Sequence, residues 1–234
     1  MLILAFETSA KAASVALTDG AKLLGESYQN TGLTHSQTLL PMAQELLKSC
    51  GYTPQQVEAV AVAAGPGSFT GIRIGVAAAK GFAWGKELPC CGVSTLEAMA
   101  RTLGVHQGLV VPVMDARRSQ VYTATFLAED GKLSRQCEDR AISLRELGEE
   151  LKNADLPIFL VGDGSNLCYN TLKDVVPNLI LPPEHRMHQR ASGVAFVAAD
   201  KLAAGENCDG AALNPNYLRL SQAERERLEK EKEK

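Results

Sequence analysis

The 234-residue sequence predicts an α/β fold made of two tandem copies of one unit. The first observation is a repeat. An apolar strand, Leu2 to Phe6, ends in the acid Glu7; an alternating strand, the turn pair Asp19-Gly20 and a third strand through Tyr28 follow. From Leu109 the order returns, with an apolar strand ending in Asp115, an alternating strand from Val121 to Phe126, and the turn pair Asp130-Gly131. The second observation is the spacing, near half the chain, which is too long for a solenoid and suits two copies of one domain. The third is that each hairpin leads to a helix and then an apolar strand, 57–64 in the first copy and 157–161 in the second. Asp-Gly between alternating runs marks a hairpin because that turn needs residues tolerant of positive φ.

In the first unit, Thr34 or Ser36 can cap a helix running from Ser36 to Lys48. Leu39, Leu40, Met42, Ala43, Leu46 and Leu47 fall on one wide apolar arc, opposite Gln37, Gln44, Glu45 and Lys48. Pro41 is expected near the first turn, where its missing N–H costs least. The stretch Gly65-Pro66-Gly67-Ser68-Phe69-Thr70-Gly71-Ile72-Arg73-Ile74-Gly75 takes a strand through a glycine turn into a helix. Backbone N–H groups gathered at a helix start favour an anion or a close backbone approach, and both readings stay open. The spacing is neither a Walker loop nor a nucleophile elbow. The helix from Thr70 to Lys86 is apolar around nearly its whole circumference, with Arg73 and Lys80 on a narrow charged stripe. Such a helix is buried on both sides, and Gly71, Gly75 and Ala79 at four-residue spacing let another helix approach closely. A protein–protein interface of this helix with the Leu39–Leu47 arc is the preferred reading. The second unit adds helices at 143–152, 165–175 and 191–204, after one at 94–103. The expected division is 1–104, 105–220 and a charged tail, 221–234.

The bulk numbers bound the function. A net charge of −3 disfavours RNA binding by this chain alone, since phosphate contacts need a basic face. The run from Glu224 to Lys234 alternates in sign and reads as a solvated helix or frayed tail. No apolar run reaches the roughly 20 residues that span a bilayer, and the first residues open directly on a core strand, so a cytoplasmic protein is expected. Six scattered cysteines imply neither zinc nor disulfides.

Glu7 and Asp115 end equivalent strands and are expected to face one cleft from opposite sides, where they could hold metal, activate water or merely anchor turns. Arg117 and Arg118 suit a phosphate or carboxylate. Gly162-Asp163-Gly164 resembles a ligand-facing turn. His185 and His188 follow Pro182-Pro183 without the spacing of a zincin.

Tandem units that open with strand, acid and hairpin resemble the superfamily of sugar kinases, actin and heat-shock chaperones, which implies two ribonuclease-H-like domains. Leu4-Ala5-Phe6-Glu7-Thr8-Ser9, Gly65–Arg73, Asp115-Ala116-Arg117-Arg118 and Gly162-Asp163-Gly164 are similar to the bacterial TsaB (YeaZ) family over essentially the whole chain. The resemblance implies a non-catalytic subunit of the machinery that makes threonylcarbamoyladenosine in tRNA. Its partners would be the catalytic relative TsaD and the ATPase TsaE, with tRNA reached only through the complex; alone, the apolar helix surface is expected to seek a second copy of itself and form a homodimer. The catalytic relative carries a metal-binding H-x-x-x-H where this chain has Thr95 and Met99, a hydroxyl and a thioether that cannot replace two imidazoles. The partner interface implied is Leu39, Leu40, Met42, Ala43, Leu46, Leu47, Gly71, Arg73, Gly75, Val76, Ala79 and Lys80. Glu7, Thr8, Ser9, Asp115, Arg117, Arg118, Gly162, Asp163 and Gly164 would line a vestigial nucleotide cleft, with no required cofactor or metal and at most weak ATP or ADP binding. The alternatives are an ATP-dependent phosphotransferase and a glycoprotease-like metallopeptidase.

Overall fold

Two twisted sheets share a middle layer of helices. The structure, a computed structural model, describes residues 1–104, 107–207 and 209–219. The first sheet has the order β3-β2-β1-β4-β5, formed by β1 (Leu2–Glu7), β2 (Ala13–Asp19), β3 (Lys22–Gln29), β4 (Ala59–Gly65) and β5 (Cys90–Ser94). β2 runs antiparallel to both β1 and β3, while β4 and β5 run parallel to β1. The second sheet places β6 (Gly108–Asp115) between β7 (Gln120–Thr123) and β11 (Ile158–Val161), with β10 (Arg140–Ser143) and β12 (Leu179–Ile180) outside them. This is the paired ribonuclease-H-like arrangement that the resemblance implied.

The second hairpin departs from the expected single strand over 121–126. β7 pairs with the end of β6, whereas β8 (Phe126–Glu129) pairs with its start and forms the hairpin with β9 (Lys132–Arg135). The break falls opposite Pro112, which has no N–H for the ladder and whose carbonyl instead accepts the Thr123 hydroxyl at 2.9 Å.

The outer face of the first sheet carries α1 (His35–Ser49) over β2 and α2 (Phe69–Trp84) over β4. The outer face of the second carries α4 (Leu144–Leu151) and α5 (Ser165–Leu172). Between the sheets lie α3 (Thr95–Leu103) and α6 (Ala191–Ala203), and they exchange partners. α3 buries Leu96, Met99 and Leu103 with Val110, Met114 and Phe126 of the second sheet. α6 returns to pack Val194, Ala195 and Ala198 on Ile3, Ala61 and Val93 of the first. The sheets thus divide after α3 while the helices cross that division. The 221–234 tail lies outside the described residues.

Both interface helices differ from expectation. Pro41 stands in the second turn of α1, on its exposed side. Leu39, Met42, Ala43, Leu46 and Leu47 are buried in the protein's own core, and only Leu40, 54% exposed, escapes it. The small-residue row of α2 also turns inward. A side chain on Gly71 would drive into the Thr8 carbonyl and one on Gly75 into the Thr8 hydroxyl, which itself donates to the Gly71 carbonyl at 2.7 Å. Val76 and Ala79 are buried beside them. The row lets a helix sit against the end of β1, not against another molecule's helix.

Gly71→Ala should therefore cost about 2 kcal/mol or more in urea unfolding, because the neighbour is backbone and cannot rotate away. Gly81→Ala, with open space around its site, should raise stability by roughly 0.5 kcal/mol.

Candidate functional site

The ends of β1 and β6 meet in a cleft between the sheets. β1 runs out through Thr8 and Ser9, both buried, and the glycine turn folds across them. The Ser68 N–H donates to the Ser9 carbonyl at 2.6 Å, and a Cβ on Gly67 would lie 2.5 Å from that same oxygen. Of the two readings of Gly65–Gly75, close backbone approach is the one the geometry supports. Ser68 then caps α2, its hydroxyl accepting from the Gly71 N–H at 3.3 Å.

The resulting cavity of about 580 Å³ is lined by Ser9, Lys11, Ser68, Phe69, Asp115, Arg117, Tyr122, Asp163, Tyr217 and Arg219, among others. Its size is that of a small-molecule site. Of the predicted cleft residues, the structure brings Ser9, Asp115, Arg117 and Asp163 to this wall. Glu7 and Thr8 lie beneath it, fully buried, and Thr8 is committed to α2. Gly162 and Gly164 spend their N–H groups on the Met187 and Val113 carbonyls, at 2.7 and 3.0 Å, so neither is free to cradle phosphate. Arg117, Arg118 and Ser119 all adopt left-handed backbone in the β6–β7 turn, and Arg118 stands exposed outside the cavity lining.

The two acids expected to act as a pair have unlike environments. Asp115 is exposed and accepts the Arg117 N–H at 2.7 Å, anchoring its turn. Glu7 accepts the Ser9 N–H at 2.6 Å through Oε1, while Oε2 has no partner. Burial pushes the Glu7 carboxyl up to about 7, with Asp163 adding to the shift. Burial likewise raises Asp163, which accepts from Gln189 at 3.0 Å. A carboxyl that titrates near neutrality suits general acid–base work, but Glu7 lies fully buried beneath the cleft floor. Among the described residues no group of three or more His, Cys, Asp or Glu is placed to hold a metal. His188 pairs with Glu184 at 2.9 Å, and the His185 carbonyl accepts from Arg190 at 2.9 Å. Thr95 and Met99 are core side chains, 0% and 1% exposed.

Arg73 and Lys80 also depart from their expected role. Arg73 donates to the Tyr217 hydroxyl at 2.8 Å and Lys80 to the Ala211 carbonyl at 3.1 Å, so both hold the protein's own C-terminal segment. Tyr217 and Arg219 were not foreseen as cleft residues. The Asn214-Pro215-Asn216 turn signals a change of direction but not its destination. What α2 leaves outside is a band of apolar surface. Trp84 is 77% exposed, Ala77 is exposed, and Ile74, Ala78 and Phe82 are half-buried, with Leu33 and Leu40 of the α1 region 59% and 54% exposed.

Comparison with known proteins is consistent across sequence and structure. Residues 29–227 match the family described as TsaD: tRNA N6-adenosine threonylcarbamoyltransferase. The tRNA threonylcarbamoyladenosine biosynthesis protein TsaB of Bacillus subtilis is 35% identical, with 99% of this chain and 100% of that protein covered. Its Escherichia coli namesake is 32% identical, with 94% and 95% covered. The solved structure of YeaZ from Pseudomonas aeruginosa superposes with a TM-score of 0.76 at 26% identity, covering 92% of this chain and 100% of that one.

Because the folded Glu7 carboxyl keeps its proton to about pH 7 and the unfolded one only to about 4.5, the native state holds the extra proton between those values. Stability contributed by this site is then full below pH 4.5 and lost as pH rises through 7. Glu7→Gln should remove that dependence. Relative to wild type, its unfolding free energy should improve from pH 5 to pH 8 by on the order of 2–3 kcal/mol.

Proposed function

Since the chain belongs to the TsaB family of tRNA threonylcarbamoyladenosine biosynthesis proteins, we propose that it is a non-catalytic subunit that docks on TsaD and activates it. TsaD would transfer threonylcarbamoyl from its adenylate to the adenosine beside the anticodon, with TsaE joining the pair and tRNA contacting the assembly through the other subunits.

The observation that carries the reading is the outward face of α2. The only tryptophan of the sequence stands 77% exposed at the end of an apolar band, where burial in the protein's own core was available to its neighbours. Large exposed aromatic side chains amid small apolar ones are what a docking surface needs. The interface is therefore proposed on Leu33, Leu40, Ile74, Ala77, Phe82 and Trp84, not on the inward residues Leu39, Met42, Leu46, Gly71, Gly75 and Val76. In the absence of TsaD, the same face pairs with a second copy. The non-catalytic assignment is supported by the burial of Glu7 beneath the cleft floor and of Thr95 and Met99 in the core.

Trp84→Glu combined with Leu40→Glu should weaken TsaD binding at least about 30-fold in titration calorimetry, the loss of one interface hot spot. The same double variant should sediment as a monomer with unchanged unfolding. Val175→Glu, equally exposed on the second lobe at 62%, should bind as wild type does.

A further inference from the structure

The last described segment, 209–219, crosses from one lobe to the other. Leu213 is 2% exposed in the core beneath α2. Beyond it, the Asn216 N–H donates to the Ala64 carbonyl at 2.7 Å, and the Asn216 carbonyl occupies the place a side chain on Gly65 would take. The Tyr217 ring stacks on Phe69 at 4.7 Å, and the Arg73 guanidinium lies 3.9 Å over the other ring of that pair. Arg219 then reaches the second lobe, donating to the Ala116 carbonyl at 3.0 Å and lying 5.8 Å over Tyr122.

This segment is a wall between two spaces. One is the cleft already described. The other, about 620 Å³, lies at the ends of β4 and β5, bounded by Ser94, Arg135, Asp139 and Lys201. Asn216 and Leu218 line both. The anchors on either side of Pro215 are unequal. Leu213 is held by burial, whereas Tyr217 is 38% exposed and its bond to Arg73 is open to solvent, where such contacts are weak.

We propose that residues 214–219 form a lid, hinged at Leu213 and latched to the first lobe at Ala64, Phe69 and Arg73 and to the second by Arg219. Closed, it fills the backbone-sized slot at Gly65 and separates the two spaces. Open, it joins them into one trough running from Ser9 to Asp139. The slot at Gly65 is thus taken by the protein's own main chain.

Hydrogen exchange on the full chain tests the lid. In wild type, the 214–219 amides should exchange at least tenfold slower than an unstructured peptide. In Arg73→Ala/Arg219→Ala they should exchange at least tenfold faster than in wild type, with 66–70 and 114–117 also accelerated and α1 and α6 unchanged. Tyr217→Phe, which keeps the stack and loses the hydroxyl, should fall between. The proposal is overturned if 214–219 is unprotected in wild type or if the double variant exchanges like wild type. It is equally overturned if α1 and α6 loosen together with the segment, since that would make it part of the cooperative core.

Discussion

The seat of α2 on the end of β1 governs the rest of the molecule. Thr8 donates its hydroxyl into the helix at the Gly71 carbonyl, and Gly71 and Gly75 leave no side chain between helix and strand. That contact fixes the axis of α2, and with it the path of the glycine turn across Ser9. It commits the helix's small residues to the inside. The bulky ones, Phe82 and Trp84, must then stand on the flank and the outside, because a helix so close to its sheet has no room beneath it for an aromatic ring. One packing decision thus produces both the closed cleft floor and the apolar outer band.

The middle layer adds a second constraint. α3 serves the second sheet although it follows the first, and α6 serves the first sheet although it follows the second. Arg190 ties the start of α6 to Glu26 of β3 at 3.1 Å, and Arg135 of β9 reaches Glu97 of α3 at 2.9 Å. Each helix thus moves with the sheet it serves, and what joins the two lobes in the middle layer is the packing of α3 against α6.

Much of this was legible in the residues. The first strand-acid-hairpin unit, the glycine turn and the apolar helices lie where their patterns put them, because each is a local signal read within one element, whereas the second hairpin breaks opposite Pro112. The failures share one cause. Periodicity says that a helix face is apolar or small, but not what lies opposite, so Gly71, Gly75 and the Leu39–Leu47 arc were assigned to a partner when their neighbours are Thr8 and the first sheet's core. Leu40 shows how narrow the margin is, since it lies a single position from the buried Leu39. Glu7 and Asp115 end equivalent strands, yet Glu7 is fully buried and Asp115 is exposed, a difference that the strand pattern does not carry. The return of Tyr217 to Phe69 joins residues far apart in the chain, which no local pattern encodes.

The outward face of α2 as the docking surface is the claim on which the function rests, and its single tryptophan gives a direct probe. With 5-fluorotryptophan incorporated in this chain alone, one fluorine resonance reports on Trp84. Diluted until sedimentation shows it monomeric, the free chain should show the solvent-isotope shift of an exposed indole, and saturating unlabelled TsaD should abolish it while moving the line. An isotope shift that stays undiminished, in a complex verified by sedimentation, would place the interface elsewhere and contradict the account.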